Sequence, residues 1–442
     1  MAFDKVLKFG GAALADGPGV QRCCRLIVDH GGDRPVVVVS AHLGVTDLLE
    51  TVARSAADGH LEGDRVRIRH RTLLRQLGLH PELLDRYFVE LFSLLSGIKS
   101  RGKLEASERD LVLSFGERMS ARVVAHTLRS MGHLATPVDA FDLGLLSDSN
   151  HGAARPLPES RARVRAAVLD VPGMPIVTGF LAKDRSGNLT TLGRNGSDLT
   201  AALMAEAIGA GELQLWKAVG GIMTADPKLV PDARVVERLG FAEAAEFALY
   251  GAQVLHGAAL APAQRANVNV RLLDVNEPEN FGTMLTSETR GEGPVGIAAR
   301  RQLVRVELDL SGTDERGMRM AELFTALRKH RIDPGPITST AESLSVFLTP
   351  SPAVDALLSD FGARARSESE LALVALVGSG GGWESDFAPR VLALLAAEGI
   401  ELVEAMLGSR APSQVFVVRA ADLERAVRAL HTGLFKPVTL GA

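Results

Sequence analysis

The sequence has only two cysteines, and they are adjacent, Cys23 and Cys24. Adjacent cysteines leave no disulfide framework and no cysteine-built metal cage. No His-x-x-x-His or Cys-x-x-Cys spacing occurs, so the common zinc sites are excluded too. No apolar run reaches the ~20 residues that a membrane-spanning helix needs. The N-terminal MAFDKVLKFGG lacks the apolar core of a secretory signal. A cytoplasmic protein that does not engage membranes is therefore expected. Strong charge of either sign is missing as well. The 49 basic and 53 acidic side chains leave a formal charge of −4, which argues against a polyanion-binding surface and so against nucleic acid as a partner.

What is present is a large chain of ordinary globular composition. Its 442 residues, 46% of them apolar, suffice for two or three domains with substantial cores. Residues 3–9 form a short apolar run ending at Gly10-Gly11, 18–30 read as a helix with Pro18 in its first turn, and PVVVVS (35–40) reads as a strand. This strand–loop–helix–strand order, with an unbroken valine run, predicts a parallel sheet covered on both faces. The charged, periodic stretch 60–104 is expected to be mostly helical. A helix over 117–131, a buried strand over 174–181, and a strand, glycine turn and helix over 189–210 follow. Ser197 and Asp198 are expected to cap that last helix.

The pattern changes near residue 290. SETRGEGPVG (287–296) is polar and glycine-containing, as linkers are. Two similar strand–helix–strand units come after it, at a spacing of about 65–75 residues, as in a tandem repeat of a small α+β module. Domains are thus expected at 1–286, 301–372 and 373–442, with a linker over 287–300. A front half of enzyme size followed by paired small modules suggests catalysis with regulation.

Five stretches carry chemistry. KFGGAAL (8–14) places Lys8 at a strand end, before glycines whose backbone N–H groups can approach phosphate oxygens. In VVVVSAHLGVTDLL (36–49), Ser40 and Thr46 occupy a loop at the carboxyl end of a strand, where ligands sit in parallel sheets, although Thr46 could equally cap a helix. Glu117 in SFGERMSA falls at an expected helix start, where a carboxylate can simply offset the helix dipole. TTLGRNGSD (190–198) is the most informative. Arg194 can grip a carboxylate with two hydrogen bonds, Asn195-Gly196 permit a tight turn, and Ser197 and Asp198 open a helix whose N–H groups favour an anion. LQLWKAVGGIMTADP (213–227) reads as a strand, a glycine turn and an extended segment, with Lys217 the one charge at its tip. His256 is the only histidine in a motif-like stretch, and a lone histidine is more often structural.

Taken in order, these pieces resemble the aspartate kinases of the amino acid kinase superfamily. The resemblance rests on KFGG, VVVVSA with GVTDLL, SFGERMSA, GF followed by TTLGRNGSD, TADPKLVPDAR (224–234), YGAQVLH (250–256) and, near the C-terminus, VALVGSG and RALHTGLF. It implies a three-layer αβα kinase domain with a mainly parallel sheet, followed by two α+β ACT modules that bind an amino-acid effector, usually lysine or threonine. The C-terminal segment can return to complete the first module, and a homodimer or higher assembly is expected. The implied reaction converts ATP and L-aspartate into 4-phospho-L-aspartate and ADP. Mg²⁺ would come with the nucleotide phosphates rather than in a resident metal site.

By the same resemblance, Lys8 stabilises the transferring phosphoryl group and Asp198 organises Lys8 and the substrate amino group. Arg194 clamps the α-carboxylate, and Ser40, Thr46, Glu117 and Ser197 complete the amino-acid pocket. The nucleotide and its phosphates fall to Gly10, Gly11, Trp216, Lys217, Gly221, Met223, Lys228 and Gln253. The departures gather on that nucleotide side. Ala12-Ala13 replace a Thr-Ser pair, and Trp216-Lys217-Ala218-Val219 replace Trp-Thr-Asp-Val. Met223 replaces a tyrosine, Lys228 an arginine, Gln253 a lysine and Gly257 a proline. Losing one charged phosphate contact costs ~10²–10³ in rate. Three readings follow: an aspartate kinase with an altered nucleotide pocket, a kinase for a related carboxylate, and a catalytically weak amino-acid sensor.

Overall fold

The computed structural model describes residues 3–251, 257–288, 293–311, 315–378, 383, 386–408 and 411–435. The chain forms two compact units, Met1–Gly221 with His256–Ser287, and Ile222–Leu255 with Glu288–Ala442. This division departs from the boundaries expected at 286 and 300. The segment 222–255 groups with the C-terminal residues, and a long strand begins at Pro294, inside the expected linker.

The elements up to the end of the first segment are β1 (Lys5–Phe9), α1 (Gly17–His30), β2 (Val36–Val39), α2 (Val45–Ala57), α3 (Gly63–Gln76), α4 (Asp85–Arg101), α5 (Ala106–Ser130), β3 (Ala135–Val138), α6 (Ser160–Leu169), β4 (Met174–Thr178), β5 (Leu181–Lys183), β6 (Leu189–Thr191), α7 (Gly196–Ile208) and β7 (Glu212–Lys217). Then come β8 (Arg238–Gly240) and α8 (Phe241–Tyr250) of the second unit, before α9 (Gly257–Arg265), β9 (Asn269–Asp274) and β10 (Thr283–Thr286) of the first.

Within the first unit the main sheet runs β3-β4-β2-β1-β7-β9-β10. Its pairs are parallel up to β9, and β10 turns back antiparallel. All four valines of β2 are buried, as a strand covered on both faces requires. From β1 the chain moves to β2 on one side and later to β7 on the other. That reversal opens a crevice at the carboxyl ends of the strands, where ligands bind in such sheets. One large core beneath it joins α1, α2, α4 and α5 to the strands. Cys23 and Cys24 lie in this core, where burial pushes the Cys23 thiol up to about 12. Neither is poised for chemistry at neutral pH.

The second unit continues with β11 (Pro294–Asp309), α10 (Arg316–Lys329), β12 (Ile337–Ser339), β13 (Ser343–Leu348), α11 (Pro352–Phe361), β14 (Ala365–Gly378), α12 (Phe387–Ala397), β15 (Leu402–Met406), β16 (Ser413–Arg419) and α13 (Leu423–Phe435). The expected repeat is present, as two runs of strand, helix, two strands and helix. The two halves share one antiparallel sheet, β12-β13-β11-β14-β16-β15, with β11 and β14 paired along most of their length at its centre. Each half keeps its own core, one around Val306, Leu323 and Leu357, the other around Val374, Val391 and Leu430. The C-terminal residues expected to complete the first module, 436–442, lie outside the described residues.

Candidate active site

Three loops meet at the carboxyl ends of β1, β2 and β6 and bound a cleft of about 540 Å³ in the first unit. Lys8, Gly11, Ser40, Thr46, Glu117, Arg194, Ser197 and Asp198 all line it. Residues far apart in the sequence reach one place because each sits at a strand end or on a helix facing it. Gly11 is needed for this convergence. A Cβ there would stand 2.8 Å from the carbonyl oxygen of Ala41, closer than side chains tolerate.

The centre of the cleft is ionic. Lys8 Nζ lies 2.6 Å from one carboxylate oxygen of Asp198, and Lys217 Nζ lies 3.1 Å from the other. Lys8 and Asp198 are both buried. Burial alone would raise the Asp198 pKa, yet the two ammonium groups hold it down at about 2. Burial likewise lowers the Lys217 pKa, against the pull of Asp198. Two cations meet on this one carboxylate at the first turn of α7. The helix N-terminus adds its own partial positive charge. An anion fits there.

Ser197 and Asp198 do not cap α7, contrary to the expectation. The N-cap is Asn195, held at φ 57°, a left-handed conformation that asparagine tolerates. Asp198 is thereby released to face the lysines. Thr46 is not a cap either, since α2 begins after Gly44 at φ 75° with no side-chain cap bond. Its hydroxyl remains available to the cleft.

Glu117 also departs from its expected place. The helix starts eleven residues earlier, at Ala106, so Glu117 stands mid-helix in α5 and does not offset the helix dipole. Its Oε1 accepts a hydrogen bond from the Ala41 N–H at 3.1 Å, and its buried Oε2 has no hydrogen-bond partner. Burial raises its pKa to about 7, with the Ala41 bond and Lys8 pulling the other way. A buried carboxylate with one bare oxygen is suited to an ammonium group. Arg194, by contrast, is exposed on the cleft wall, with its guanidinium able to meet a carboxylate.

The nucleotide-side residues divide. Trp216 is a correction: its side chain is fully buried, stacked near Phe9 with ring centroids 6.1 Å apart, and its indole N–H donates to Gln214. It is a core residue and offers a ligand no side-chain surface. The Gly10 N–H is directed at the Trp216 carbonyl oxygen, 3.5 Å away, so Gly11 is the better placed of the two glycines. Gly221 takes φ 123° in the turn after β7. Met223 and Lys228 belong to the second unit, where Met223 bridges to Val235 and the Lys228 N–H donates to Asp226. Gln253 and His256 lie outside the described residues.

Two features were missed from the sequence. Asp110 is fully buried and accepts hydrogen bonds from Thr191 Oγ1 and from the Thr191 and Gly152 N–H groups, and it contacts His151. It ties α5 to the cleft rim. Only its charge in a stretch with a buried face could have marked it. His42 lines the cleft, with Nδ1 2.8 Å from the Leu14 carbonyl oxygen and Nε2 unpaired. Burial and the neighbouring His70, ring to ring at 5.9 Å, depress its pKa to about 3.

Among the described residues, no three His, Cys, Asp or Glu side chains gather into a metal cage. Both oxygens of Asp198 already face lysines. The residues present suit a divalent ion that arrives bound to phosphate oxygens.

Residues 5–274 match the family model of the amino acid kinase family. The lysine-sensitive aspartokinase 3 of Escherichia coli (strain K12) is 31% identical over 454 residues, covering 98% of this chain and 99% of that protein. The chloroplastic aspartokinase 3 of Arabidopsis thaliana is 33% identical over 362 residues, covering 78% of this chain and 64% of that protein. The crystal structure of E. coli aspartokinase III in complex with aspartate and ADP, in its R-state, matches with a TM-score of 0.81 at 30% identity, covering 98% of this chain and all of that one.

Proposed function

Because this chain belongs to the aspartokinases of the amino acid kinase family, we propose that it transfers the γ-phosphoryl group of ATP to the side-chain carboxylate of L-aspartate, giving 4-phospho-L-aspartate and ADP. One observation carries the reading: the buried Lys8–Asp198 ion pair shares its cleft with Arg194 and Glu117. The related E. coli enzyme was crystallised with aspartate and ADP, and both ligands suit this cleft.

The attacking carboxylate is already ionised at neutral pH, so no general base is required. Catalysis rests on positioning and charge stabilisation. Arg194 grips the substrate α-carboxylate. Glu117, when ionised, takes the α-ammonium group, and Ser40, Thr46 and Ser197 fill the pocket around it. Lys8 and the Gly11 N–H hold the transferring phosphoryl group against the start of α7. Asp198 keeps the lysine side chains in place. Gly221, in the turn after β7, serves the nucleotide. Mg²⁺, bound by the triphosphate, supplies further charge neutralisation. The paired C-terminal repeats act as ACT modules that sense an amino acid, lysine by analogy with the lysine-sensitive E. coli relative, and they assemble the chain as a homodimer.

The purified protein with Mg-ATP, L-aspartate and hydroxylamine should yield aspartyl hydroxamate. Hydroxamate from another acidic amino acid alone would redirect the substrate assignment. No hydroxamate from any acidic amino acid, with no ATP binding by calorimetry, would leave the amino-acid sensor as the surviving reading.

A further inference from the structure

Asp110 and Glu117 stand seven residues apart in α5, two helical turns, so their side chains share one face of the helix. Both are buried. Glu117 lines the cleft itself. Asp110 turns its oxygens to the cleft rim. Its Oδ1 accepts from Thr191 Oγ1 at 2.7 Å. Its Oδ2 accepts from the Thr191 N–H at 3.1 Å and the Gly152 N–H at 3.0 Å, with His151 Nδ1 also 3.0 Å away. Thr191, Gly152 and Gly193 all line the cleft.

A carboxylate needed only to anchor α5 could bond any neighbour. These partners bracket one turn. Thr191 ends β6, three residues before Arg194. The loop holding His151 and Gly152 packs against Gly193, which has φ 73° and whose Cβ, if present, would stand 3.3 Å from the Gly152 carbonyl oxygen. The Ala154 N–H closes the frame on the Thr191 carbonyl oxygen at 2.9 Å. Among the described residues, nothing hydrogen-bonds or ion-pairs with the Arg194 side chain. Its guanidinium is placed through the backbone that carries it. We propose that Asp110 is a positioning residue for substrate binding: it fixes the turn that presents Arg194, about 10 Å along α5 from Glu117. One helix then gauges the separation between the group that meets the substrate α-carboxylate and the group that meets its ammonium. This rests on the kinase reading given above. An α-amino acid carries both charges on one carbon, so a shift of the turn by about 1 Å would break the match and cost up to ~10²-fold.

The test is a double-mutant cycle in the full chain, read by hydroxamate kinetics and by calorimetric binding of L-aspartate. Asp110→Asn keeps the shape but turns an amide toward N–H donors. It should lower kcat/KM for aspartate ~10-fold or more, chiefly through KM, with ATP affinity within about threefold. In an Arg194→Ala background the same change should cost less than about twofold, because the residue it acts through is gone. Thr191→Val removes a single hydrogen bond to Asp110 and should follow the same pattern, with a loss of about fivefold. It carries the test if Asp110→Asn melts below the assay temperature. Equal losses in the two backgrounds would give Asp110 a role in stability alone and overturn the proposal, as would an unchanged KM in both variants. A wild type that binds aspartate but forms no hydroxamate would sink the kinase reading alone, and the cycle is then read from aspartate affinities. A wild type that does neither overturns both.

Discussion

The two ends of the cleft were treated differently by sequence change. On the side proposed for the amino acid, Ser40, Thr46, Glu117 and Arg194 follow the aspartokinase resemblance and all line one cavity. On the side proposed for phosphate the resemblance breaks at Ala218, while Lys8 and Lys217, from the ends of neighbouring strands, both contact Asp198. The amino-acid pocket must match a fixed shape and a fixed pair of charges, so its residues cannot be exchanged singly. The phosphate site needs positive charge within reach of several oxygens, and more than one strand end can supply it.

That contrast can be broken by mutation. The largest effect is expected at the shared centre. Lys8→Ala should reduce kcat by at least ~10³-fold, since it removes a transition-state cation and leaves Asp198 with a single partner. Steady-state hydroxamate assays would show it. Arg194→Ala comes next and should raise the KM for aspartate about 10²-fold, the scale of a lost bidentate charged contact. ATP affinity should stay within threefold. An unchanged KM would remove the clamp assignment and weaken the contrast itself.

Glu117→Gln sharpens it further, because function and stability should move in opposite directions. Burial raises the pKa of Glu117 from 4.5 to about 7. Between those values the folded state holds a proton that the unfolded state has lost, so stability falls as pH rises through this window. Glutamine removes that penalty. The variant should be more stable than wild type at pH 8 by ~3 kcal/mol, equally stable near pH 4, and at least tenfold weaker for aspartate. In the wild type, aspartate affinity should improve as pH rises through about 7. Denaturant melts at the two pH values and a KM–pH profile check this.

The smallest effect at neutral pH concerns two of the buried histidines, His42 and His70. The pKa values of His42 and His70 are depressed from 6.5 to about 3 and about 4, chiefly by burial. The unfolded chain binds protons that the folded state refuses, so stability should be lost as pH falls below 6.5. His42→Gln should flatten that loss between pH 6.5 and 4 while changing turnover at pH 7.5 by less than threefold.

Much of this arrangement was legible from residue order. The valine run of β2 announced a doubly covered parallel sheet, and the glycine turns after β1 and before α7 marked the strand ends where the cleft lies. The repeat after residue 290 was readable because strand and helix recur at one spacing. What stayed hidden depends on three-dimensional pairing. Glu117 was placed at a helix start because the polar residues of 106–116 conceal a helix buried on one face. The family resemblance puts Trp216 at the nucleotide, yet a tryptophan on a central strand belongs to the core. The fusion of both repeats into one sheet depends on β11 meeting β14 about seventy residues away. The link from Lys217 to Asp198 spans two elements, and no spacing rule reports it.

The most direct measurement follows ADP release and aspartyl hydroxamate together in one reaction of the wild-type chain with Mg-ATP. ADP should form only when L-aspartate is present, with one hydroxamate for each ADP. ADP released at the same rate without aspartate, or no ADP at all with both substrates saturating, would contradict it.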